Sequence, residues 1–114
     1  MKPIPKELQQ KDLILHVDAV KLAGKNYVGD GNPKHFLVSP IYGNFKGLCK
    51  VGIWIGTSEI FLPDMPRLVA KLEEANIPFQ YFEEKDMQHD FPLFPTVVEG
   101  IRGMKSVCDF INQD

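Results

Sequence analysis

"CKVGIWIGT", residues 49–57, decides how this chain folds. Val51 to Ile55 run without a polar side chain and are rich in β-branched residues, and Gly56 closes the run. So short and uniformly apolar a stretch suits a strand covered on both faces. The stretch after it has the other periodicity. In "LPDMPRLVAKLEEANIP", residues 62–78, Met65, Leu68, Val69 and Leu72 fall at i, i+3, i+4 and i+7 among charged residues. Pro66 suits a first helical turn and Asn76 can end the helix. "IPFQYFEE", residues 77–84, is aromatic-rich with partial alternation and reads as a second strand. Two strands of one sheet joined through a helix run parallel, with a right-handed crossover.

Outward from this unit the pattern is helical again. Val17, Val20, Ala23, Tyr27 and Val28 predict a helix near 15–28, with Gly29 as its stop. Residues 1–11 are rich in Pro and Lys and read as extended or loosely helical. Residues 29–47 hold four Gly and two Pro among short apolar pairs, which is loop chemistry. Val97, Val98, Ile101, Met104, Val107, Cys108 and Ile111 predict a closing helix over 95–112. The class is α/β. Two parallel strands covered on both faces would leave an open sheet edge and bare flanks, so the chain reads as part of a larger sheet.

The 114 residues are enough for one domain and its core. Thirteen basic and fifteen acidic side chains give a net charge of -2. No basic stripe offers itself to nucleic acid or anionic lipid, so neither is expected as a partner. Met1 is followed by Lys2-Pro3-Ile4-Pro5-Lys6 rather than an apolar leader, and no stretch reaches the roughly 18 apolar residues of a membrane helix. A cytoplasmic protein is the expectation. Cys49 and Cys108 lack CxxC or Cys/His spacing and read as reduced thiols, with Cys108 on the apolar stripe of the last helix, hence buried and inert. His16 and His35 lack a carboxylate or Cys at metal spacing, which favours surface or capping roles. No metal is expected, and without a phosphate-cradling Gly loop no cofactor is either.

Chemistry concentrates in "EKDMQHDFPLFP", residues 84–95. His89 follows the second predicted strand and Glu59 the first, both at the C-terminal edge where open α/β sheets gather reactive groups. A carboxylate there can accept a hydrogen bond from one imidazole nitrogen, fixing the tautomer so that the other nitrogen acts as general base.

"HFLVSPIYGNFKGL", "VGIWIGTSEIFLPD" and "MQHDFPLFP" together resemble the C-terminal third of the α/β-hydrolase fold esterases related to hormone-sensitive lipase. The resemblance runs from about Leu13 to Ile111. It implies a partial α/β-hydrolase fold with parallel strands and flanking helices, residues 1–114 forming a single C-terminal segment that lacks the nucleophile-bearing part. In that family the acid follows the strand before the last and the His follows the last strand, about thirty residues on; here 89 − 59 = 30, which puts Glu59 and His89 at those positions. The family's acid is usually Asp, which makes Asp64 a rival, but 89 − 64 = 25 breaks the spacing. Asp64 also suits the start of a helix, facing its dipole. Asp86 stands as a turn residue where such loops often carry Gly. "SPIYG", residues 39–43, reads as support for the loop before the first strand, with Tyr42 packing and Gly43 turning. Phe91, Leu93 and Phe94 either line an acyl pocket beside His89 or fix their loop to the last helix.

Half of the family's chemistry is missing. Neither G-x-S-x-G nor an HGGG-type oxyanion segment occurs. The serines are Ser39, Ser58 and Ser106, and "GTSEI", residues 56–60, imitates the nucleophile elbow only until Ile60 replaces its second Gly. The resemblance therefore implies the acid and base of a carboxylesterase or lipase-like serine hydrolase, inactive alone, with an ester as substrate of the complete enzyme. The alternative is a non-catalytic interaction module whose open sheet edge pairs with a second copy, as a homodimer, or with an N-terminal hydrolase segment.

Overall fold

The structure, a computed structural model, describes residues 3–113. Strands β1 (Val51–Gly56) and β2 (Phe79–Glu84) pair in parallel, Val51 opposite Phe79 and Gly56 opposite Glu84. Before them lie helices α1 (Lys6–Lys11) and α2 (Val17–Val28); α3 (Met65–Glu74) is the crossover and α4 (Val98–Ile111) closes the chain. Three 3₁₀ turns, Pro40–Tyr42, Leu62–Asp64 and Phe91–Leu93, each hold a Pro in the first two positions. There its fixed φ is preorganised and its missing N–H is no loss.

The crossover helix ends as its sequence asks. Asn76 adopts φ 54°, while the N–H of Ile77 donates to Leu72 O at 2.9 Å and that of Asn76 to Glu73 O at 3.0 Å. This is a Schellman closure, which satisfies carbonyls that the helix would otherwise leave unpaired. It also returns Ile77 onto Leu72, and these two with Ile53 of β1 form the buried core of one sheet face. On the other face Trp54 stacks on Phe82 at 5.1 Å and meets Phe110 of α4 edge-on at 5.5 Å. Its indole N–H donates to Ser106 Oγ at 3.1 Å. Gly52 makes room for that ring, since a Cβ there would lie 2.4 Å from it.

Helix α4 overturns part of the sequence reading. It begins at Val98, because Val97 is extended (φ -121°, ψ 147°) after Pro95. The side turned to the molecule is the small one, Gly100 and Gly103 being its buried residues. A Cβ at Gly100 would come within 2.0 Å of Phe94 O, and one at Gly103 within 2.6 Å of the Phe91 ring. Close approach of the 91–94 turn therefore demands glycine at both positions. The apolar stripe faces outward: Val98 is 69% exposed, and Ile101, Met104 and Ile111 are exposed with it. Cys108 rides that stripe, so it and Cys49 are exposed rather than buried.

Such open faces give the molecule a slab-like form of 42 × 37 × 20 Å. Its radius of gyration is 15.3 Å, where a compact domain of this length has about 13 Å. Among the described residues no helix is long and apolar enough to cross a membrane.

Candidate active site

Beyond the strands, backbone pairing continues into the two loops that follow them. Thr57 N–H donates to Glu84 O at 2.9 Å, Asp86 N–H to Thr57 Oγ1 at 2.7 Å, and Ser58 N–H to Met87 O at 3.0 Å. Within the sheet the register offset is 79 − 51 = 28. The Lys85–Asp86 turn adds two residues, and Glu59 arrives opposite His89. Asp86 makes that turn at φ 58° and Asp90 leaves the histidine at φ 57°, a left-handed region that Asp tolerates better than most residues. That geometry explains an Asp where Gly would also serve. Gly56 allows the loops to touch, since a Cβ there would lie 2.0 Å from Met87 O.

Glu59 Oε1 lies 2.9 Å from His89 Nδ1, and its other oxygen accepts the N–H of Gly56 at 3.1 Å. Glu59 is 1% exposed, whereas the imidazole is partly open to solvent. A buried carboxylate needs partners for both oxygens, and it has them. With Glu59 ionised the bond to Nδ1 requires an N–H there, leaving Nε2 as a lone-pair base. Phe61 meets the imidazole edge-on at 5.5 Å, and Asp90 Oδ1 is 3.6 Å from Nε2, beyond hydrogen-bond reach but near in charge. Tyr81 on β2 donates to Glu83 at 2.9 Å. Its pKa is pushed up to about 12, first by burial, then by that bond and the charges of Glu83 and Glu59.

The remaining candidates do not join this contact. Asp64 is the residue before α3, and Ser58 is buried between the loops. Phe91, 2% exposed against Gly103, belongs to the seam with α4, while Leu93 is exposed. Tyr42 is exposed beneath the Arg67 guanidinium, 4.7 Å from its ring centre, and Gly43 turns after it. His16 stands at the N-cap of α2 without a side-chain cap bond, and His35 is on the surface stacked on Phe36. Among the described residues no three His, Cys, Asp or Glu are placed to hold a metal ion.

Two residues escaped the sequence reading. Asp12, 8% exposed, reaches the acid loop by accepting the N–H of Ile60 at 2.8 Å. Gln88 bonds the backbone of Lys11 and Leu13. The signal available for Asp12 was local: an Asp just after a helix, with two following N–H groups to satisfy, is Asx-turn chemistry.

In this parallel β-α-β unit a carboxylate after one strand meets an imidazole after the next, an arrangement that α/β-hydrolases use. The chain belongs to the α/β-hydrolase fold family, whose model matches residues 2–93. Among curated proteins it is 29% identical to an esterase of Acinetobacter venetianus over 75% of this chain and 29% of that one. It is 24% identical to an acetyl-hydrolase of Streptomyces hygroscopicus, over 89% of this chain and 34% of the relative. Among solved structures, a hormone-sensitive-lipase homologue from a metagenome library superposes with a TM-score of 0.86 at 27% identity, covering 91% of this chain and 36% of that one. A hormone-sensitive lipase from a metagenome library gives 0.84 at 26% identity, covering 93% and 36%. The chain thus spans about a third of the length of the relatives it matches.

Proposed function

We propose that this chain is the C-terminal portion of a carboxylic-ester hydrolase of the hormone-sensitive-lipase type and supplies its acid and base. His89 Nε2 takes the proton of a serine hydroxyl as that oxygen attacks the ester carbonyl, then returns it to the departing alkoxide. Glu59 stays ionised and holds the ring in the Nδ1–H tautomer. The nucleophile and oxyanion donors come from a segment N-terminal to this one, whose sheet pairs with the open edge of β1. Alone, the chain does not turn over short-chain p-nitrophenyl esters, because an acid and a base have no nucleophile to activate.

The observation that carries this reading is the 2.9 Å contact between the buried Glu59 and the partly open His89. Its test is complementation with the polypeptide encoded immediately upstream of Met1. Hydrolysis is expected only from the pair, falling roughly ten-thousand-fold in Glu59→Gln and about a million-fold in His89→Ala. Turnover by the pair that survives His89→Ala, or an upstream polypeptide without G-x-S-x-G, would overturn it. The bare strand edge and outward apolar stripe of α4 favour a second reading, self-association as a non-catalytic module, for which a stable dimer on a sizing column without restored activity would speak.

A further inference from the structure

The stretch between α1 and α2, residues 12–16, has no regular structure of its own, yet it bonds both loops that carry the candidate acid and base. Asp12 is nearly buried and uses both carboxylate oxygens. Oδ1 accepts the N–H groups of Ile14 at 3.0 Å and Leu15 at 2.7 Å, which folds the stretch into an Asx turn. Oδ2 accepts the N–H of Ile60 at 2.8 Å, one residue beyond Glu59. From the other loop Gln88, the neighbour of His89, closes a two-bond clasp on the same backbone. Its Nε2 donates to Lys11 O at 2.9 Å and its Oε1 accepts the N–H of Leu13 at 2.8 Å. One turn thus grips the residue after Glu59 and the residue before His89.

We propose that residues 11–15 act as a strap that fixes the Glu59–His89 distance, with Asp12 and Gln88 as positioning residues. Direct pairing of the loops ends at Ser58 and Met87, one and two residues short of the two reactive side chains. Past that point nothing in the backbone ladder holds Glu59 against His89, and the strap takes over at Ile60 and Gln88. A charge-assisted bond such as that from Ile60 to Asp12 is stronger than a neutral one and is little screened when buried. The strap touches no reacting atom; it acts through the imidazole's orientation.

The inference rests on the proposed acid–base role, and its experiment reads the imidazole directly, without catalysis. Nitrogen-resolved NMR of the 114-residue chain is expected to find a proton on His89 Nδ1 that exchanges slowly with water. In Asp12→Ala and Gln88→Ala that proton should exchange about tenfold faster, the factor for loss of roughly one buried hydrogen bond, and part of the ring should move to the Nε2–H tautomer. Gln88→Glu, which keeps the acceptor for Leu13 and loses the donor to Lys11, should fall between. Asn32→Ala, which removes an Asx turn outside the strap, should leave the signal unchanged. If Asp12→Ala fails to fold, the two Gln88 variants decide. Folded variants with the wild-type imidazole spectrum would overturn the strap while leaving the acid–base reading intact; a wild-type chain without an Nδ1 proton would overturn both.

Discussion

The edge where the strands end and the outward flanks of α2 and of α4 are built to different standards. At the edge every approach is specified: Gly56 admits Met87, Glu59 has a partner for each oxygen, and Asp12 reaches Ile60. Among the described residues no buried side-chain nitrogen or oxygen is left without a partner. On the flanks Leu22, Tyr27, Val98, Ile101 and Ile111 lie open to solvent. The contrast teaches that the position of Glu59 against His89 is set by bonds within this chain, whereas the apolar faces lie open. Burial and completeness of hydrogen bonding, rather than regular secondary structure, mark where the sequence is constrained.

The most severe way to break the edge is Gly56→Ala. Its methyl group would have to displace the backbone of Met87, and overpacking against main chain is expected to cost about 3 kcal/mol, read as a lowered urea midpoint. Next comes Glu59→Ala, which leaves the Gly56 N–H and the imidazole without their buried acceptor and should cost about 1–3 kcal/mol in the same measurement.

Alkaline titration probes the core just beneath the edge. The Tyr81 pKa is raised from 10.0 to about 12, chiefly by burial, so the fold retains the protonated phenol better than the unfolded chain does. Its contribution to stability is complete below pH 10 and is lost as pH rises from there through about 12. The phenolate absorbance of the chain minus that of Tyr81→Phe should show this late midpoint. Glu83→Gln should bring it down only part of the way, because burial remains. Smallest of all, Val98→Ser with Ile101→Ser should change the urea midpoint by no more than about 0.5 kcal/mol per site. A loss like that at Gly56 would erase the contrast between the two regions.

How much of this was legible in the sequence follows from the kind of signal each part carries. Periodicity reaches the strands, the crossover helix and the stop at Asn76, because burial on one face leaves a regular trace. The separation of Glu59 and His89 was readable against the family's spacing and Asp86 as a turn residue, whereas the strand register that this turn converts into that spacing was not. Asp12 lay outside any periodic pattern in a polar leader, and its partner is 48 residues away. For α4 the apolar stripe was identified correctly and assigned to the wrong side. A helix can bury glycine where backbone must come close, and only the 91–94 turn reveals that need.

The pairing of the two loops through Thr57 and Ser58 has a consequence for protein engineering. Its bonds join Thr57 and Ser58 to residues 84–87, so the two loops would stay paired in a transplant, while the bonds of Asp12 and Gln88 would have to travel with them to keep Glu59 against His89. Grafted with residues 11–15 onto another parallel sheet, the Glu59–His89 pair would still need both a hydroxyl and oxyanion donors from its host.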